Sequence, residues 1–397
     1  MNTNRLLFLQ HLGQTSPEPM LLEPVRANGC RITDAQGKEY LDLIAGISVS
    51  NVGHSHPEVL AAVKQQVDAY MHVMVYGEFI ESPQVQYATW LAAQLPGALD
   101  SVFFVNSGSE AVEGAIKLAK RITGRTGLVA CGNAYHGATH GALSLGGDES
   151  RKQAFRPLLP DVKSIPFNDF AALEQITCRT AAFIVEPVQG EAGVVPPVQG
   201  YLQAVRERCN ATGTILIFDE CQTGFGRTGQ MFASITYGVT PDIVTMGKAL
   251  GGGMPLGAFA AAREHMSAFT HQPVLGHITT FGGHPVCCAA GLAAARIITP
   301  ELLQHVREME QLFLQLLQHP RIREVRSAGL LMAVHLESEA INKALIQQLL
   351  QQGIITDWFL FAADCLRIAP PLVIAESEVR YACHTILQAL ESVTVEN

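Results

Sequence analysis

From about residue 100 the chain repeats one pattern, a short apolar run, a turn and a helical segment, and that repetition leaves few folds open. The runs are 101–105, 126–131, 181–185, 214–218, 243–246 and 256–261, with helical stretches such as 110–121 and 200–211 between several of them. Strands that are apolar on nearly every residue are covered on both faces, so the pattern predicts a parallel sheet wrapped by helices. Ligands of such sheets bind outside the carboxyl ends of the strands, and the residues that follow each run are the ones to read for chemistry.

The flanking segments read differently. Residues 29–43 alternate around an Asp34-Ala35-Gln36-Gly37 turn, the signature of a hairpin. Gly53-His-Ser-His-Pro57 then breaks the chain, and 58–71 places Val59, Val63, Val67 and Tyr70 on one helical face with Pro57 at the first turn. His54 and His56 point to opposite sides of an extended chain, and no further cluster follows at ligand spacing, so no metal is expected. Past His284 the chain is mostly helical, with a mixed piece at 325–336 and a helix from Glu376 onward, which reads as a second, smaller domain.

Length and composition narrow the function classes. With 397 residues, 48% hydrophobic and 16% charged, the chain can core one large and one smaller domain. A net charge of -9 without a dense Lys/Arg run argues against nucleic acid or an anionic membrane as partner. The stretch from Met1 to Gln10 has one basic residue and too short an apolar run for a secretory signal, so a cytoplasmic protein is expected. Nine cysteines without a Cys-x-x-Cys pair read as reduced, buried thiols.

Three motifs carry chemistry. Lys248 follows the apolar run 243–246 and precedes Gly251, Gly252 and Gly253, and no other lysine lies between Lys163 and Lys343. A lysine in an apolar, glycine-lined pocket can lose its proton and attack a carbonyl to form a Schiff base; the bland alternative is a strand-end lysine that snorkels to solvent. Ser107-Gly108-Ser109 leads from a strand into a helix whose inner stripe is Val112, Ala115, Ala119 and Ile122, which is either an anion cup suited to phosphate or only a capped helix. Asp219 ends an apolar strand and must find a cation or donors there. The chain has no Gly-x-x-x-x-Gly-Lys-Ser/Thr loop, so a magnesium-holding carboxylate of a nucleotide hydrolase is set aside, and the use that fits Lys248 is a cationic ring nitrogen such as the pyridinium of pyridoxal phosphate.

Over nearly its whole length the chain resembles class III pyridoxal-phosphate aminotransferases, in the branch that holds acetylornithine, ornithine and putrescine aminotransferases. The matching pieces are Gly53-His-x-His-Pro57, Asn106-Ser-Gly-Ser-Glu-Ala111, Tyr135-His-Gly137, Glu186-Pro-Val-Gln-Gly-Glu191, Asp219-Glu-Cys-Gln-Thr-Gly-Phe-Gly-Arg-Thr-Gly229, Gly247-Lys-Ala-Leu-Gly-Gly-Gly253, Thr279-Thr-Phe-Gly-Gly283 and Leu366-Arg-Ile-Ala-Pro-Pro371. The resemblance implies the α/β fold of type I, with a mostly parallel seven-stranded central sheet and a smaller α+β domain from both termini. It divides the chain into an N-terminal segment (1–50), a large cofactor domain (51–283) and a C-terminal small domain (284–397). It makes Lys248 the Schiff-base lysine and proton shuttle, Asp219 the partner of the pyridine N–H, and Tyr135 the residue stacked on the ring. Gln222 would lie near the ring hydroxyl, and Gly108 and Ser109 would hold the phosphate. Thr280 would reach the phosphate of a neighbouring subunit, which implies a homodimer with shared sites. Glu191 and Arg367 resemble the family's switch pair: the glutamate neutralises the arginine when a terminal amine binds, and the arginine grips a carboxylate when 2-oxoglutarate binds. A purely structural ion pair is the alternative. Glu186 and Thr279 complete the expected substrate side.

One departure bears on the donor. In acetylornithine and ornithine aminotransferases an arginine that holds a substrate carboxylate follows the aromatic-x-Gly element; here Ala138 follows Gly137. Either another residue supplies the cation, or the donor carries no carboxylate there, as with a diamine. His284 and Cys221 are smaller departures, at positions where the family commonly has asparagine and an aliphatic residue. The expected reaction is transfer from an acetylornithine- or ornithine-type amine to 2-oxoglutarate, with diamine or other ω-amine transfer as the alternative. An aminomutase or racemase of the same fold would have no need for the switch pair.

Overall fold

The computed structural model describes residues 3–75 and 77–393. A helix at Thr3–His11 precedes three antiparallel strands, β1 (Pro24–Asn28), β2 (Arg31–Asp34) and β3 (Glu39–Asp42). The expected hairpin closes because Asp34 Oδ1 accepts from the amides of Gln36 and Lys38, both at 2.9 Å, so the side chain substitutes for backbone in the turn. Helices at Pro57–Ala69 and Ser82–Gln94 follow. Of the expected face on the first, Val59 is buried while Val67 is 42% exposed, so part of the stripe faces outward.

The middle of the chain supplies β4 (Ser101–Val105), β5 (Gly127–Cys131), β6 (Val162–Ile165), β7 (Thr180–Val185), β8 (Ile215–Asp219), β9 (Ile243–Met246) and β10 (Gly257–Ala261). They form one seven-stranded sheet in the order β4-β10-β9-β8-β7-β5-β6. Strands β9, β8, β7, β5 and β6 pair in parallel, and β10 runs antiparallel between β4 and β9. Alternate residues feed two cores, as strand geometry requires. Leu128, Ile184 and Ile217 pack with the helix Gly108–Thr123 on one face, and Val129, Phe183 and Phe218 pack with Tyr201–Thr212 on the other. Six of the strands stand where the apolar runs predict them. The seventh, β6, escaped notice because this edge strand keeps only Val162 and Ile165 as apolar positions.

The C-terminal part adds helices at Pro285–Ile297 and Pro300–Leu316, then β11 (Ile322–Ser327), β12 (Met332–Leu336), the helix Glu339–Gln351, β13 (Ile354–Ile355), β14 (Trp358–Phe359), β15 (Ala362–Ile368) and the helix Glu376–Ser392. An antiparallel sheet has the order β11-β12-β15-β14, and β13 joins β3 in parallel, so the N-terminal hairpin becomes part of the C-terminal body. Cys30, Leu41 and Leu43 accordingly share one core with Val306, Leu345, Leu366 and Ile386. Cys287, Cys288, Ala290 and Leu292 pack instead with Tyr87, Leu91 and Leu250 beneath the large sheet, so the packing divides after Ile298.

Arg227 ties these pieces together. It is fully buried, and Nη1 donates to Leu330 O at 2.8 Å and Pro370 O at 2.6 Å, while Nη2 donates to Asn51 Oδ1 at 2.5 Å. Burial pulls its pKa down to about 9, with the charge of Asp42 opposing, so it stays cationic at neutral pH. Asn51 is itself held, its Nδ2 donating to Phe225 O at 2.8 Å. Asn51→Ala removes one acceptor from a buried guanidinium, a loss of about 1–3 kcal/mol. Urea denaturation should show the midpoint falling accordingly, and an unchanged midpoint would mean that the Asn51 contact adds nothing to the junction.

Candidate active site

Gly108, Ser109, Tyr135, Glu186, Asp219, Gln222 and Lys248 stand just beyond the carboxyl ends of the strands of the large sheet, whereas Arg367 comes from β15. Beyond β4, Ser107 caps the helix Gly108–Thr123, its Oγ accepting from Glu110 N at 3.2 Å. Glu110 Oε2 returns to Asn106, accepting from its N at 2.7 Å and its Nδ2 at 2.9 Å. The first intrahelical bond is Ala111 N to Ser107 O, so the amides of Gly108 and Ser109 remain as donors at the positive end of the helix. Close backbone packing forms the floor. A Cβ on Gly108 would lie 2.9 Å from Cys221 Sγ, and one on Gly257 only 2.1 Å from Ser107 O, so glycine is required for this approach. Ser109 Oγ accepts from Ala138 N at 3.2 Å, which pins the loop after β5 to the cup.

Asp219, at the end of β8, is buried beside His136, with Oδ2 at 2.7 Å from His136 Nδ1 and Oδ1 accepting from Cys221 N at 3.1 Å. Burial pushes the Asp219 carboxyl up, but the hydrogen bond and charge of His136 outweigh it and hold the pKa below the usual range. Burial works against charge on His136, and Asp219 and then Glu186 raise its pKa above the ordinary imidazole value. The sequence motif Tyr135-His-Gly137 contains this histidine, but its role rests on a partner 83 positions away that no local pattern announces.

Glu186, just past β7, accepts from Tyr135 N at 3.3 Å and Gly190 N at 3.2 Å. Burial drives its pKa up to about 7, with His136 pulling it down and Asp219 pushing it further up. Tyr135 is 39% exposed, its ring available rather than packed into a core. Lys248 follows β9 at φ 50°, and Nζ donates to Gln222 Oε1 at 3.1 Å. Gln222 Nε2, a donor, and His136 Nε2 are buried nitrogens without a protein partner. An unsatisfied amide beside the lysine, a low-pKa carboxylate and a helix-end anion cup fit a planar, cationic-ring group that carries a phosphate and a ring oxygen.

Glu191 and Arg367 form a buried bidentate pair, with Nη1 to Oε1 and Nη2 to Oε2 both at 2.9 Å. Burial pushes Glu191 up, but Arg367 and then Lys248 outweigh it and lower its pKa, which places Lys248 within electrostatic reach of the pair. Arg367 also donates through Nε to Asp357 Oδ1 at 2.7 Å and lies 4.2 Å from the Phe359 ring centroid. Asp357 was not legible as a site residue; burial lifts its pKa to about 6 against the pull of Arg367. Thr279 and Thr280 stand apart: Thr279 Oγ1 accepts from Gly282 N at 2.9 Å, and Thr280 lies in an exposed stretch. Among the described residues neither is hydrogen-bonded to the Lys248 pocket of its own chain. His54, one of the two histidines weighed as ligands, is 2.7 Å from Asp42 Oδ2.

Comparison with known proteins agrees with this geometry. The profile described as aminotransferase class-III matches residues 13–390. The chain is 41% identical over 398 residues to an acetylornithine aminotransferase of Methanopyrus kandleri, covering 99% of this chain and all of that protein. It is 39% identical over 380 residues to a succinylornithine transaminase of Salmonella paratyphi B, covering 91% and 90% of the two chains. The crystal structure of the ornithine aminotransferase from Toxoplasma gondii superimposes with a TM-score of 0.91 at 31% identity, covering 98% of this chain and 94% of that one.

Glu186 yields a sign-specific test. Its proton is held more tightly in the folded protein than at the ordinary carboxyl value of 4.5, so its stabilising contribution is full below that pH and is lost as the pH rises through about 7. Glu186→Gln removes this titration, and stability between about pH 5 and about pH 7 should then fall less steeply than in the wild type. Urea denaturation across that range reads the slope, and identical slopes would remove Glu186 as the titrating group.

Proposed function

Because the chain belongs to the class-III aminotransferase family, we propose that it moves the amino group of a terminal-amine donor of the ornithine or acetylornithine type to 2-oxoglutarate, giving a semialdehyde and glutamate, with pyridoxal 5'-phosphate as cofactor. The observation that carries the reading is the buried Glu191–Arg367 pair within electrostatic reach of Lys248. The cofactor, when bound, supplies an aldehyde carbon that carries the amino group and a cationic ring that takes up electrons from the substrate carbon.

The chain's residues do the rest. The amides of Gly108 and Ser109 would receive the phosphate, and Gln222 Nε2 would gain its missing acceptor in the ring oxygen. Asp219, kept anionic by His136, would stabilise a proton on the ring nitrogen. Tyr135 would cover the ring. Lys248 Nζ, as a general base and then acid, would take the proton from the substrate carbon and deliver it to the cofactor. Glu186 acts on the substrate side by fixing the amides of Tyr135 and Gly190.

Arg367 sorts the substrates. Paired with Glu191 it presents a neutral wall to the uncharged stem of a terminal amine; released, its fork receives the carboxylate beside the reacting carbon of 2-oxoglutarate. Asp357 keeps the guanidinium in place when Glu191 lets go. We assign Thr279 and Thr280 to the neighbouring subunit's site in a homodimer. Supporting this, the chain around them exposes Val274 by 73%, Ile278 by 45% and Phe281 by 54%, an apolar patch of the kind that marks a protein interface. We keep a cytoplasmic location as part of the proposal, and the nine free cysteines, as in a reducing compartment, support it. Ala138 favours one second reading, a diamine donor without a carboxylate.

Two measurements test these roles. Cofactor-loaded protein mixed with single donors should lose its violet absorbance with ornithine or acetylornithine, and Lys248→Ala should slow this on the order of 10²–10⁴-fold; normal turnover in that variant would overturn the assignment. Glu191→Gln leaves Arg367 without its neutralising partner, so kcat/KM for the terminal-amine donor should fall on the order of tenfold or more while KM for 2-oxoglutarate holds or drops. A fall confined to 2-oxoglutarate would reverse the assigned roles.

A further inference from the structure

Position 138 leaves the pocket without the cation that a donor carboxylate needs, and its alanine contributes only a backbone amide to Ser109 Oγ. We infer that Arg151 supplies that cation, receiving the carboxylate at the far end of both the donor and 2-oxoglutarate. The inference rests on the aminotransferase reading above.

Arg151 lies beside the turn between β14 and β15. Its Nη2 is 3.5 Å from Leu360 O, and its guanidinium carbon is 5.8 Å from the Phe361 ring centroid. Leu360 and Phe361 belong to the turn between β14 and β15 that holds the switch glutamate: Leu360 N donates to Glu191 Oε2 at 3.1 Å, and Phe361 N to Glu191 O at 3.0 Å. A single residue, Leu360, therefore meets Arg151 on its carbonyl and Glu191 on its amide. Tyr135 lies within reach of the same charges: after burial, Glu191 raises the pKa of its phenol and Arg151 lowers it. Arg151 thus stands at the rim of the pocket, between the ring-stacking tyrosine and the switch pair.

Its hydrogen-bonding capacity is also unspent. The contacts to Leu360 O and to Asp148 Oδ2, both at 3.5 Å, are longer than good N–H···O bonds. Asp148 is already engaged by Ser150, through N at 2.9 Å and Oγ at 2.6 Å. The neighbouring cations are committed. Arg156 donates to Glu149 Oε1 at 2.6 Å and 2.9 Å, and Lys152 to Gly146 O at 2.8 Å. Arg151 is 47% exposed on its side chain, with its guanidinium carbon 5.8 Å from an aromatic ring centroid, so an arriving carboxylate meets a forked donor at little desolvation cost.

Substrate chemistry calls for such a group. Ornithine and acetylornithine react at the terminal carbon and carry their carboxylate several bonds away. In 2-oxoglutarate, with Arg367 on the carboxylate beside the keto carbon, the second carboxylate extends a similar distance outward. One cation at the rim serves both.

The test uses cofactor-loaded wild type, Arg151→Gln and Arg151→Lys with four substrates in separate half-reactions. Acetylornithine is compared with putrescine, which lacks the carboxylate, and 2-oxoglutarate with pyruvate, which lacks the far carboxylate but keeps the one for Arg367. Arg151→Gln should lower kcat/KM for acetylornithine and 2-oxoglutarate by about 10- to 100-fold, chiefly through KM, and change putrescine and pyruvate by less than about twofold. Arg151→Lys should restore part of the loss. Unchanged kinetics with the carboxylated pair would overturn the inference, as would equal losses on all four, which would make Arg151 only a support for the 358–361 turn. A wild type that accepts putrescine and refuses acetylornithine would overturn the donor reading, and the comparison of 2-oxoglutarate with pyruvate would still decide Arg151.

Discussion

The buried pair of Glu191 and Arg367 is the constraint on which the two halves of this molecule depend. Stripping water from two charges costs several kcal/mol per ion, and only a bidentate contact with further hydrogen bonds recovers it. The structure meets that demand from three directions. Glu191 takes both guanidinium nitrogens and the Leu360 amide, Asp357 takes Nε, and the Trp358 carbonyl takes Nη2 as well. Apolar residues of equal volume would hold a fold at least as well, so stability alone does not account for a charged pair here. The proposed switch would: the same guanidinium is neutral in effect when paired and would receive a carboxylate when released.

Around that pair, the large sheet works as a positioning device. Five parallel strands and the parallel-running β4 deliver their carboxyl ends to one edge, so Gly108, Tyr135, Glu186, Asp219 and Lys248 meet there although they span most of the large domain. Each arrives with its electrostatics set by neighbours. His136 keeps Asp219 ionised, Asp219 and burial keep Glu186 near neutrality in its proton affinity, and Gln222 fixes the lysine amine. Arg227 performs the mechanical counterpart, since its carbonyl partners lie in the C-terminal body and its amide partner at the start of the large one. The two buried arginines thus stand in different environments, one ringed by carboxylates and one by neutral oxygens.

In the proposed assignment the two ends of the pocket divide the recognition problem. At the inner end Arg367, held over Phe359 and between Glu191 and Asp357, would receive the carboxylate beside the reacting carbon. At the outer end Arg151 is half-exposed and lightly held near Phe361. The first is buried with its partner, as a switch requires; the second keeps donors unspent, as a receptor requires.

The linear order of residues was enough to place six of the seven strands and to single out Lys248, Asp219 and the Ser107-Gly108-Ser109 turn, because each is written in local pattern: near-continuous apolar strands, glycines where backbones touch, a hydroxyl before a helix. It also identified Glu191 and Arg367 through the motifs that contain them. The edge strand β6 was lost for want of apolar residues, since half of it faces solvent. Tertiary structure alone decided the partnership of His136 with Asp219, the second carboxylate on Arg367, the packing of the helix Pro285–Ile297 under the large sheet, and the approach of Arg151 to the 358–361 turn. Three of the four are contacts between residues far apart in the chain, and the fourth joins Asp357 to Arg367, ten positions on, across the β14–β15 turn. Proton affinity, charge balance and burial are properties of the neighbours a side chain acquires on folding, which no local spacing encodes.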